Sequence, residues 1–177
     1  LVLSLSLLLP LPALAQLANG KPKFLGNIIA SSVPANFSTY WNQVTPENAG
    51  KWGSVEQSRD VMSWGGIDTA FNFAKNNGYK YKHHVFVWGQ QQPTWMSGLS
   101  ATDQRAEVEE WISAYCTKYP TTDMVDVVNE PVHAPAEYRN ALGGAGTTGW
   151  DWVVTTFQMA RQHCPGMTLI LNDYDIS

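Results

Sequence analysis

Charge is scarce in this sequence: Asp, Glu, Lys and Arg make up only 15% of 177 residues, against 44% hydrophobic types. That balance excludes a disordered chain and allows the core of one ordinary domain. Basic residues number 11 against 15 acidic ones and form no stripe, which argues against a nucleic-acid partner. Neither GxGxxG nor a P-loop follows the first strand-like run, so a nucleotide-binding sheet is disfavoured. The glycine-rich tract 143–149 lacks the P-loop lysine and reads as a flexible loop. Only two cysteines are present, Cys116 and Cys164, without the paired histidines of a zinc site. They fall near the ends of consecutive predicted helices; a bridge and a pair of small buried apolar residues both stay open. The opening run LVLSLSLLLPLPALA is too short and too proline-broken for a good membrane span. Its apolar stretch and the Ala13-Leu14-Ala15 site read as residues 1–15 of a secretory signal, cut after Ala15. The expectation is an extracellular protein with no membrane attachment after cleavage.

Aromatic rings are abundant instead, with eight Trp and seven Tyr. Most such rings pack in cores, but flat apolar rings also stack on sugars, which raises the prospect of a carbohydrate site. From residue 24 onward, strand-like and helix-like runs alternate. Phe24–Ile29, Asn42–Thr45, Lys80–Trp88, Met124–Asn129 and Met167–Asn172 read as strands. Between them, Ile67, Ala70, Phe71 and Ala74 share one helical face, stopped by Gly78. Ser100 and Asp103 resemble a capping box ahead of a stripe from Val108 to Tyr119, and Pro120 closes that helix. A last helix runs from near Trp150 to Cys164, with Trp111 and Trp150 read as helix packing. Strands separated by single helices run parallel with right-handed crossovers. The strand centres near Val85, Val127 and Ile170 recur about every 42 residues, a βα spacing suited to a (β/α)8 barrel. Five strands need roughly three more units to close such a barrel, so the sequence reads as one truncated after about the fifth strand. In isolation it should expose a sheet edge and aggregate.

Barrel chemistry sits at the C-terminal ends of the strands, and polar residues gather at four consecutive ends here. They are Glu47 and Asn48, then Lys51; His83, His84 and Trp88; Asn129 and Glu130; and Asn172, Asp173 and Tyr174. Asn129-Glu130-Pro131 is the sharpest signal. A glycosidase needs a carboxylic acid beside the leaving oxygen and a second carboxylate across the sugar. Glu130 suits the acid if burial and a like charge raise its pKa, and Asn129 suits a sugar 2-hydroxyl.

VTPENAGKW (44–52), HVFVWGQQQPTW (84–95), DVVNEP (126–131) and LILNDYDI (169–176) resemble the successive signatures of glycoside hydrolase family 10, the barrel xylanases. The resemblance spans about residues 24–177 and implies that residues 16–177 are the N-terminal portion of a catalytic barrel. It implies a secreted, retaining endo-β-1,4-xylanase that acts on xylan as a monomer, without metal or organic cofactor. Glu130 would be the acid/base. Glu47, Asn48 and Lys51 would bind the glycone sugar; His84 and Trp88 would line the cleaved bond; Asn129 would hold the 2-hydroxyl; Tyr174 would line the aglycone side. The family's nucleophile belongs to a seventh strand, so Glu47, Asp126 and Asp173 read as binding or supporting groups. Many members carry His directly after the third-strand Trp; here Gly89 stands there, followed by three Gln, which implies altered contacts near the cleaved bond. His163 reads as a helix-end cation, His83 as facing outward from the barrel, and His133 as either structural or aglycone-lining. The rivals are another β-1,4-glycanase of the same clan, a glucanase or mannanase, and a non-catalytic carbohydrate-binding barrel.

Overall fold

The computed structural model describes residues 16–176. The proposed signal segment 1–15 lies outside them. Five strands, β1 (Gly26–Ile29), β2 (Gln43–Pro46), β3 (Lys80–Val87), β4 (Met124–Asn129) and β5 (Thr168–Asn172), form one sheet in the order β1-β2-β3-β4-β5. Every neighbouring pair is parallel. The helices are α1 (Phe37–Tyr40), α2 (Trp52–Val55), α3 (Gly65–Asn76), α4 (Ala101–Lys118) and α5 (Asp151–His163), with 3-10 turns at Thr94–Gly98 and Glu137–Leu142. Sequential order and uniform parallel pairing give an arc of a (β/α)8 barrel rather than a doubly wound sheet, whose order reverses. Among the described residues β1 and β5 are the edges, where Ile28 is 45% and Leu171 is 53% exposed.

The long helices follow their apolar periodicity. Ser100 Oγ accepts from the Asp103 N–H at 3.2 Å and caps α4, whose buried face carries Val108, Trp111, Ile112 and Tyr115. Trp111 is fully buried between two other indoles, near-parallel to Trp52 at 6.1 Å and to Trp64 at 5.8 Å. Its N–H donates to the Phe86 carbonyl of β3 at 3.1 Å. Trp150 departs from the sequence reading: it stands at the N-cap of α5, before the first helical turn, and is 44% exposed. The tract before it is tied down, since the Thr147 and Thr148 N–H groups both donate to the Asp151 carboxylate. Cys116 and Cys164 are joined as a disulfide linking α4 to the end of α5. With a sequence separation of 48 residues, such a cross-link removes unfolded-chain entropy on the order of 2–4 kcal/mol.

His83 does point away from the concave face, yet not into solvent. It is fully buried in the helix layer, 3.9 Å from the Tyr115 ring, with neither ring nitrogen hydrogen-bonded. Burial holds its pKa well below the usual histidine value. His163 sits in the last turn of α5 and meets Glu109 at 3.2 Å.

At the N-terminal rim of the strands, Asp123 ties α3 to β3. It accepts from Lys75 and Lys80, each at 2.7 Å, and from the Tyr81 N–H at 2.9 Å. Burial alone would raise its pKa, but these three donors outweigh that and lower it below 3.8. A depressed carboxyl pKa stabilises the fold above its unfolded value, and the gain disappears as pH falls through the folded value. Asp123→Asn is therefore expected to lower the melting temperature at pH 7. The gap to wild type should close as the pH drops below 3.8; a gap constant with pH would contradict the ion-pair account.

Candidate active site

The concave face of the sheet forms a trough of about 680 Å³ that runs from Gly26, Gln43 and Met124 at the strand starts to Glu47, Lys51 and Asn172 at the C-terminal ends, where the candidate site residues gather. Its walls begin with β2. After Pro46 the chain turns through Glu47, Asn48 and Lys51 into α2, and the Glu47 N–H is anchored on the Ile29 carbonyl at 2.9 Å. Lys51 is 8% exposed. Burial lowers its ammonium pKa, while the charges of Glu47 and Glu130 pull it back up. The ammonium donates to Asn48 Oδ1 at 2.9 Å and to Gln91 Oε1, and lies 4.9 Å from the centre of the Trp88 ring.

Gln91 was not singled out by sequence, because three consecutive Gln give no basis for choosing one. The fold selects it. Its backbone is left-handed, with φ 48°, and its amide donates to Asn48 at 3.2 Å, closing a Lys51–Asn48–Gln91 triangle. Gly53 lets the loop come this close: its N–H donates to the Gln91 carbonyl at 2.9 Å, and a Cβ there would lie 2.5 Å from that oxygen.

On β3, His84 faces the cleft. Its Nδ1 meets Asp126 Oδ2 at 2.8 Å, and Lys82 donates to the same carboxylate at 2.9 Å. Asp126 is fully buried, and its pairing with Nδ1 leaves Nε2 for other partners. Asp126 thus fixes the ring, which is the supporting role read from sequence. Trp88 follows β3, its ring 6.2 Å from His84.

Glu130 follows β4 with φ 50°, a left-handed conformation unusual for a residue with a side chain. Two short hydrogen bonds hold it there: its N–H donates to the Asn172 carbonyl and its carbonyl accepts from the Ala134 N–H, both at 2.7 Å. The carboxylate then accepts from the Trp88 indole N–H at 3.0 Å. Asn129, 2% exposed, accepts from the Asn172 amide at 2.6 Å, so Asn172, which sequence marks as a polar strand end without a role, is a second supporting residue. Seven of the eight site residues read from sequence therefore converge: Glu47, Asn48, Lys51, His84, Trp88, Asn129 and Glu130. Tyr174 stands apart on the β5 loop, 52% exposed and stacked on His133.

Gly89 is where the β3 and β4 loops touch. Its N–H donates to the Ala134 carbonyl at 2.9 Å, and a Cβ there would lie 2.5 Å from the backbone oxygens of both Ala134 and Pro135. Histidine cannot occupy this position with these loops in place.

A carboxyl at the mouth of parallel barrel strands, flanked by an ammonium, an indole donor and buried amides, defines the barrel glycosidase class of site. The chain belongs to glycosyl hydrolase family 10, whose model matches residues 15–177. It is similar to endo-1,4-beta-xylanase B of Cellvibrio japonicus, 47% identical over 156 residues that cover 86% of this chain and 25% of that protein. Endo-1,4-beta-xylanase 3 of Hypocrea jecorina is 32% identical over 76% of this chain and 39% of its own length. Among solved structures, a family 10 protein from Paenibacillus barcinonensis superposes with a TM-score of 0.77 at 21% identity, covering 86% of this chain and 51% of that one. The chain thus spans from a quarter to about half the length of these relatives.

Proposed function

We propose that this chain forms the N-terminal part of a secreted, retaining endo-β-1,4-xylanase in which Glu130 is the acid/base. The observation that carries the reading is the Glu130 carboxyl. It is fixed by the Trp88 indole at 3.0 Å, and its charge is felt by Lys51, which also feels Glu47. Two relatives named endo-1,4-beta-xylanase point to the same substrate. In the first step Glu130 gives its proton to the glycosidic oxygen as that bond breaks. A carboxylate outside residues 1–177 bonds to the anomeric carbon. In the second step Glu130 takes a proton from water as the water oxygen attacks that carbon and frees the nucleophile. Retention requires the two carboxyl groups to stand about 5–5.5 Å apart. On this reading Lys51, Asn48 and Gln91 grip the glycone sugar, Glu47 lines the same subsite, and Asn129 meets the 2-hydroxyl.

Assay of the complete enzyme on xylan, carboxymethylcellulose and mannan tests the assignment. Hydrolysis of xylan with retained anomeric configuration is expected. A preference for either other polymer moves the protein to a neighbouring specificity, and no hydrolysis of any leaves a binding protein.

A further inference from the structure

We propose that Gly89 is a positioning residue for the proton donor: together with Trp88 it clamps Glu130 at both its carboxylate and its backbone. The inference deepens the xylanase reading and rests on it. Two consecutive residues of the loop after β3 reach the same partner by different routes. The Trp88 indole N–H donates to the Glu130 carboxylate at 3.0 Å. The next residue, Gly89, donates its N–H to the Ala134 carbonyl at 2.9 Å, and the Ala134 N–H donates to the Glu130 carbonyl at 2.7 Å. Trp88, Gly89, Ala134 and Glu130 thus close a ring of contacts between the loops after β3 and β4.

The backbone of Glu130 creates the need for such a ring. Its φ of 50° is a conformation that a residue with a side chain keeps only where its surroundings dictate it. The Glu130 N–H is tied to β5 through the Asn172 carbonyl, while the Glu130 carbonyl depends on Ala134, and Ala134 on the β3 loop. Glycine alone fits at the far end of that relay. A Cβ at 89 would lie 2.5 Å from the carbonyl oxygens of both Ala134 and Pro135 and 2.8 Å from the Pro135 carbonyl carbon. The tract has no easy retreat, because Ala136 and Tyr138 just beyond it are buried, at 0% and 2% exposure. A side chain at 89 therefore pushes on the segment that holds Glu130 and shifts its carboxyl relative to the bond it protonates. Misplacement by about 1 Å is enough to cost about 10²-fold in rate.

The test uses the complete enzyme and two aryl β-xylobiosides that share one glycone and differ only in the acidity of the phenol. On each, kcat/KM reports the first step, in which the phenol departs. Gly89→Ala should lower kcat/KM by about 10- to 100-fold on the phenyl glycoside, whose leaving oxygen needs a proton. On the dinitrophenyl glycoside, which needs none, the change should stay under about twofold. Ala134→Pro leaves position 89 untouched but removes the N–H that holds the Glu130 carbonyl, and should show the same selective loss. Equal losses on the two substrates, or no loss on either, overturn the clamp; if Gly89→Ala does not fold, Ala134→Pro decides by the same criterion. A wild-type enzyme inert on xylan, or a Glu130→Ala enzyme without this selectivity, instead brings down the functional reading beneath it.

Discussion

Glu130→Ala is expected to cut turnover of xylan by about 10²–10⁴-fold. The loss comes from the proton that the leaving sugar alkoxide needs in order to depart. An aryl xyloside with an acidic phenol needs no such help, so its first step should proceed near the wild-type rate. The second step still lacks its base. Stopped-flow measurement should therefore show a burst of phenol followed by slow turnover, the signature of an accumulating glycosyl-enzyme. Equal loss on both substrates with no burst would count against Glu130 as the acid. The geometry sharpens the expectation, because the side chain has few ways to relax. Its left-handed backbone is pinned at both ends by 2.7 Å hydrogen bonds and its carboxylate is held by Trp88.

Trp111→Ala is expected to remove about 3–5 kcal/mol of stability through the cavity it leaves. The Phe86 carbonyl would also lose its donor, at a cost of about 1–3 kcal/mol if it stays dry. At this chain size the cavity alone corresponds to a fall in Tm of about 6–20 °C, measurable by calorimetry. A loss below about 1 kcal/mol would show that the ring is not the pillar its burial indicates. The same ring supports the site at one remove. Trp52, stacked on Trp111, immediately follows Lys51, and its indole is anchored on Glu56 at 2.7 Å.

The elements that sequence made legible are those long enough to carry a period. β3, β4 and β5, and helices α3, α4 and α5, appear where their apolar spacing put them, within a residue or two at the ends. The one-turn helices α1 and α2 were not legible, since four residues cannot display a helical repeat. Trp150 was misread because a ring at a helix start fits the stripe whether or not it lies inside the first turn; here it caps the helix and faces outward. The candidate site was legible where chemistry sits at a strand end, as with Glu130 and Trp88. Gln91, and the role of Asn172, were not, because what marks them is a partner 40 or more residues away. The disulfide was undecided for a related reason: helix periodicity gives the face of each cysteine but not the distance between the helices.

The contact at Gly89 carries a consequence for substitution. Two backbone oxygens, from Ala134 and Pro135, occupy the space any side chain at 89 would need. The loops after the third and fourth strands are thus sterically coupled at this point. A change that introduces histidine at 89 has to rebuild the tract 134–135 in step.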